Sequence, residues 1–107
     1  MGIEIEKNIF GYCLWIVHNN GIVVNPNARI GNYCRIHQNT TIGNNGHNNL
    51  ASIFGDYCFI GANSCILGNL ELGNNIIISA GSVVTKSFPD NSVLMGVPAT
   101  IKEERSL

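Results

Sequence analysis

Three histidines and four cysteines are the residues of this 107-residue chain best suited to chemistry near neutral pH. His18, His37 and His47 carry the side chain whose ordinary pKa lies nearest working pH, so each could take a proton from a weak nucleophile such as an alcohol. A base of this kind is usually oriented by an acid on its other ring nitrogen. Cys13, Cys34, Cys58 and Cys65 form no CxxC pair, which argues against a thiolate metal site or a redox motif. Cys34 and Cys58 read as core-filling thiols in a reducing compartment.

The element that must position these residues is a repeat. Val24, Ile30, Ile36, Ile42, Phe54, Ile60, Ile66, Leu72, Ile78 and Val84 recur in one phase of six, broken only by Asn48. An amphipathic helix needs returns at three and four, and a half-buried strand needs strict alternation, so a sustained six fits neither. Hexapeptide arrays belong to parallel β-helices, in which each hexad supplies a short strand and a corner. Gly follows the aliphatic residue at Gly31, Gly43, Gly55, Gly61 and Gly73, and is expected to take the corner conformation that other residues resist. Four positions after the aliphatic stand the small residues Ala28, Cys34, Thr40, Cys58, Ser64 and Ser82, expected to face a narrow interior.

A single domain spanning residues 1–107 is expected, divided into three stretches. Residues 1–23 form an opening coil in a different phase, because Ile16 to Val24 is eight and the slip falls in the string holding His18. Residues 24–88 form regular coils with a loop at 46–52, and residues 89–107 form a C-terminal cap and tail. A phase slip costs packing unless something is gained, so His18 stands where chemistry is expected. Hydrophobic residues make up 45% of the chain and charged residues 12%, which suits a coil whose polar shell is Asn, Gly and Ser. The net charge of -1 gives no reason to expect nucleic acid or an anionic membrane as partner. Neither a signal peptide nor a membrane span is discernible, so a cytoplasmic protein is expected. A coil this thin calls for neighbours, which makes a homo-oligomer the expected state.

The hexads, with GSVVTK and GVPA near the C-terminus, resemble the left-handed β-helix acyltransferases. The string LWIVHNNGIVVNPNARIG at 14–31 is similar to the serine acetyltransferase branch, in which a His followed closely by GIVV carries the active site. The resemblance implies an all-β, single-stranded left-handed parallel β-helix, a homotrimer with clefts between neighbouring coils, and acetyl-CoA as donor. It implies that His18 is the catalytic base and Glu4 its orienting acid, with Glu6 the competitor. His47, in the loop, falls where the family contacts substrate, while His37 reads as a structural corner. By position Gly61, Ala62, Ala80, Gly81 and Lys86 are implied to hold the donor, the small residues along the pantetheine arm and Lys86 at a phosphate.

Two departures bear on the acceptor. The branch carries an Asp immediately before its catalytic His to meet the amino group of serine, and here that residue is Val17. The helical N-terminal region that supplies another acidic contact has no counterpart in these residues. Serine O-acetylation and the acetylation of a sugar or polysaccharide hydroxyl therefore both stand as readings. A non-catalytic scaffold is a third. A fourth is a zinc hydrase, since γ-carbonic anhydrases bind zinc through three histidines on such a coil. That family places two ligands a few residues apart, and the gaps of nineteen and ten here argue against a metal.

Overall fold

The computed structural model describes residues 3, 4, 9–17 and 20–104. Every element in it is a short strand, because a corner interrupts the chain every sixth residue. Each coil visits three faces in turn. The first face stacks β1 (Ile3–Glu4), β3 (Ile22–Val24), β5 (Thr41–Gly43), β8 (Cys65–Leu67) and β11 (Val83–Val84) in parallel. The second holds β6 (Ile53–Phe54) and β9 (Glu71–Leu72), extended by bridges from Phe10 to Ile30, Arg29 to Ile53 and Leu72 to Phe88. The third stacks β2 (Trp15–Ile16), β4 (Arg35–Ile36), β7 (Phe59–Ile60), β10 (Ile77–Ile78) and β12 (Ser92–Gly96) in parallel, and β13 (Ala99–Glu104) returns antiparallel along β12.

The aliphatic column points inward as the period requires. From Val24 to Val84 each of its ten members is at most 3% exposed. Burying one such side chain is worth about 1.5–3 kcal/mol, so this column is the main source of stability. The small column is buried as well, with Ala28, Cys34, Thr40, Cys58, Ser64 and Ser82 at most 2% exposed. The Ser64 hydroxyl reaches the Ser79 carbonyl of the next coil at 3.3 Å, while three others turn back on their own corners. Thr40 Oγ1 donates to the His37 carbonyl at 2.9 Å, Ser82 Oγ to that of Ser79 at 2.7 Å, and Ser92 Oγ to that of Pro89 at 2.8 Å. A buried hydroxyl left unpaired is costly, and the carbonyl three residues back removes that cost.

The corners depart from the sequence expectation. The left-handed backbone position is not the glycine after the aliphatic but the third residue after it, at Tyr33, Asn39, Tyr57, Asn63, Asn75 and Gly81, with φ between 57° and 75°. The follower glycines serve a different need. A Cβ on Gly55 would strike Asn74 of the next coil, and one on Gly73 would lie 2.6 Å from the Asp90 amide nitrogen. Glycine is required there because coils stack directly over it.

Register explains the irregularities of the repeat. Val24 pairs with Ile42, and Ile66 with Val84, each eighteen residues on. Ile42 pairs with Ile66, twenty-four residues on, so the loop at 46–52 adds six residues and leaves the phase intact. That is why Asn48 occupies a hexad position without an aliphatic. The slip near His18 lengthens its coil to twenty, since Ile16 pairs with Ile36. The coil also runs past Pro89, because Ile78 pairs with Leu94, a fully buried residue sixteen on.

Candidate functional site

The edge where the third face turns into the first is built by backbone contacts between successive coils. Val17 N donates to Ile36 O at 3.0 Å, His37 N to Ile60 O at 3.1 Å, Gly61 N to Ile78 O at 2.8 Å and Ser79 N to Leu94 O at 2.9 Å. Further along the same edge Asn39 N donates to Asn20 O, Asn63 N to Gln38 O and Gly81 N to Ala62 O. These bonds leave the residues between them in the corners, so Gly61, Ala62, Ala80 and Gly81 share one edge. His18 lies outside the described residues, between Val17 and Asn20, whose backbone groups bond into this same edge. The side chain of Glu4 also lies outside them, as does Glu6. The backbone of Glu4 pairs with Val23 on the first face.

The small residues on this edge are small for different reasons. A Cβ on Gly61 would lie 2.6 Å from Ile78 O and 2.7 Å from Ala80 N, so stacking alone demands glycine there. Gly81 has φ of +75° and no atom within 4 Å of where a Cβ would stand. Its backbone is therefore open to approach from outside, as a ligand amide would need.

His47 and Lys86 stand elsewhere. His47 is exposed in the loop at 46–52, which leaves the coil between the first and second faces. Asn side chains shape that loop, with His47 N donating to Asn45 Oδ1 and Gly46 N to Asn44 Oδ1, both at 2.9 Å. Lys86 follows β11 at the same edge, and its ammonium lies 5.8 Å from the centre of the Phe88 ring. Within this chain neither residue shares the edge of Gly61 and Gly81. His37 is held in the coil, its Nδ1 donating to Ile60 O at 3.1 Å and its ring 4.7 Å from that of Phe59. Those bonds suit the structural reading of His37, and His37 and His47 occupy different edges.

Two features were not legible in the repeat. Gln38, on the edge beside His37, buries its Oε1 with no partner among the described residues. A groove of about 900 Å³ runs along the third face, over its edge with the second. Trp15, Tyr33, Tyr57, Phe59 and Ile77 form its apolar walls with Arg35 among them, and Asn74, Asn75, Asp90 and Asn91 line its far end. The Tyr33 and Tyr57 rings stack with centroids 5.2 Å apart and planes 10° from parallel, and the Arg35 guanidinium lies 4.4 Å from the centre of the Trp15 ring. Beneath it, Cys34 and Cys58 touch, Cys58 N donating to Cys34 Sγ at 3.4 Å. The hydrogen bond to Cys34 and burial both push the Cys58 thiol well above its usual range, so it stays protonated.

Residues 51–86 match the family model for the bacterial transferase hexapeptide (six repeats). The chain is 34% identical over 107 residues to a serine acetyltransferase of Synechococcus elongatus, covering 94% of this chain and 42% of that one. Among solved structures, a Neisseria gonorrhoeae serine acetyltransferase in complex with serine is 37% identical at a TM-score of 0.86, covering 92% of this chain and 42% of that chain. A Brucella abortus serine acetyltransferase in complex with coenzyme A is 36% identical at a TM-score of 0.80, covering 87% and 38%. The chain thus spans about half, or less, of the length of the proteins it matches. The coil is the β-helix expected from the repeat, with the left hand expected from the resemblance.

Proposed function

This chain belongs with the hexapeptide-repeat acyltransferases of the serine acetyltransferase branch, and from that premise we propose that it transfers acetyl from acetyl-CoA to an acceptor hydroxyl. One observation carries the reading. The two-residue slip at His18 falls on the edge that also presents Gly61, Ala62, Ala80 and the open backbone of Gly81. In this reading the base, borne on the segment between Val17 and Asn20, and the surface for an extended donor arm belong to one edge.

In the proposed reaction His18 takes the hydroxyl proton as the oxygen attacks the thioester carbonyl, and Glu4 orients the imidazole. The C–O bond forms, the C–S bond breaks, and the proton passes from the imidazolium to the departing CoA sulfur. Backbone N–H groups of the edge stabilise the oxyanion. Gly61, Ala62, Ala80 and Gly81 hold the pantetheine arm, and Lys86 and His47 complete the site from the neighbouring protomer of a trimer. Assembly is needed for that last step because one protomer places those two residues on another edge.

The acceptor named in the Neisseria structure is serine, and a serine hydroxyl is the first reading for this chain. A saccharide hydroxyl is the second, favoured by Val17, which offers no carboxylate to an ammonium, and by the aromatic groove on the adjoining face. A cytoplasmic location is proposed from the reduced thiols, and among the described residues no helix is long and apolar enough to cross a membrane. Release of free CoA thiol from acetyl-CoA, measured against L-serine and a panel of sugars, tests the reading. Acceptor-dependent release is expected. No release with any acceptor, together with no heat of binding for acetyl-CoA or CoA, would leave only the scaffold.

A further inference from the structure

We propose that the groove on the third face is a saccharide-binding subsite that seats two or more rings of a neutral glycan. Its role as acceptor site rests on the acetyltransferase reading, but its capacity to bind does not. The groove is concave, apolar along its walls and polar at one end, which is the usual form of a small-molecule site. Its aromatic rings are far from core-like, with Trp15 56%, Tyr33 50% and Tyr57 59% exposed. Exposed amphipathic rings of this kind pack against the C–H groups of pyranoses while their polar tips stay hydrated.

The polar groups match the same ligand. Asn74 and Asp90 each use Oδ1 to accept a backbone N–H, from Asp56 and Asn74 respectively, at 2.7 Å. Those bonds fix both side chains and leave Asn74 Nδ2 and Asp90 Oδ2 outside them, a donor and an acceptor suited to vicinal hydroxyls. The lining carries one cation, Arg35, and one carboxylate, Asp90, so its charge balances. That excludes a strongly anionic ligand such as a polyphosphate and favours an uncharged polyol. Arg35 covers one face of Trp15, and Tyr33 and Tyr57 cover one face of each other, so the rings meet a ligand with their edges and remaining faces.

Spacing extends the point. Successive coils repeat at about 4.8 Å, near the length of one sugar ring, so a glycan running along the coil axis meets one rung after another.

Trp15 is the one tryptophan of the chain, so its fluorescence reports directly on the groove. Titration with neutral oligosaccharides of two to five pyranose rings, drawn from cello-, xylo- and N-acetylchito- series, is expected to give a saturable change that strengthens with length. Tyr57→Ala is expected to weaken the best ligand at least tenfold with no shift in Tm, while Ile53→Ala on the second face leaves the response unaltered. No saturable change with any series would overturn the proposal. So would a Tyr57→Ala variant that sediments as a smaller species, which would make the groove a contact between subunits. Saturable binding without acetyl transfer keeps the groove and removes the acetyltransferase reading. Transfer to L-serine with no saccharide response does the reverse.

Discussion

The Asp56 carboxylate accepts the backbone N–H of Asn32, one coil below it, at 2.8 Å. The contact repeats along that edge, from Tyr12 N to Asn32 Oδ1, Asp56 N to Asn74 Oδ1 and Asn74 N to Asp90 Oδ1. Each rung satisfies a backbone donor that the corner leaves without a strand partner, and each lies over a follower glycine. Asp56→Ala is expected to destabilise the protein by about 1–3 kcal/mol, since an N–H loses a charged acceptor. Asp56→Asn keeps Oδ1 and is expected to recover most of the loss. Urea unfolding of both variants reads the difference, and equal losses would show that the rung matters only through its charge.

The follower glycines divide by what stacks over them. Gly43→Ala places a methyl 3.8 Å from Leu67 Cδ2, an ordinary contact, and is expected to change stability by less than about 1 kcal/mol. Gly61→Ala drives a Cβ to 2.6 Å from Ile78 O, and is expected to cost more than about 3 kcal/mol or to abolish folding. Thermal melts of the two variants check this, and a tolerated Gly61→Ala would refute the stacking account.

Ile60 is fully buried in the inner column, between the paired residues Ile36 and Ile78. Ile60→Ala is expected to cost about 2–5 kcal/mol, because stacked coils leave little freedom to collapse into the cavity. Ile53→Ala, at an exposed position on the second face, is expected to cost far less, and chemical denaturation separates them.

Cys13 is exposed, Cys65 is half-buried, and Cys34 and Cys58 are buried against one another. A disulfide-exchange reagent at pH 8 is expected to label Cys13 within the mixing time and Cys65 more slowly. Cys34 and Cys58 should react only after denaturant is added, because burial hides both and the raised pKa of Cys58 keeps it a thiol. Four fast thiols in the folded protein would contradict this packing.

His18→Ala is expected to lower CoA release by about 10²–10⁴-fold, the ordinary worth of a general base. Its melting temperature is expected to stay near that of the parent, as loss of a proton acceptor alone requires. Retention of most activity would move the role of base elsewhere.

The inner column and the small column were legible from the period alone, because inward orientation in a coil is a local property repeated every six residues. The role of the glycines was not. Gly55 and Gly61 look alike in sequence to turn residues, and only the coil above them shows that they exist to make room. The loop at 46–52 could be read as an interruption, but that it adds a whole hexad and keeps the phase appears only in the pairing of Ile42 with Ile66.

The candidate site divides in the same way. His18, Gly61, Ala62, Ala80 and Gly81 were named from motif and position, and the described backbone brings the last four onto one edge with the segment flanking His18. His47 and Lys86 were named by the same means and fall on another edge. No pattern in the string pointed to the groove, since Trp15, Tyr33, Tyr57, Asn74 and Asp90 lie in different hexads with no shared motif.

Sequence by itself determined the β-helix, its inner surface and the place where its rhythm slips, since those follow from residue type and a spacing of six. Tertiary structure decided which residues of separate coils meet. Neighbours on a face stand sixteen, eighteen, nineteen, twenty or twenty-four residues apart according to the insertions between them. A local period cannot encode offsets that are set by the winding of the whole chain, and the groove and the division of the site between edges both depend on them.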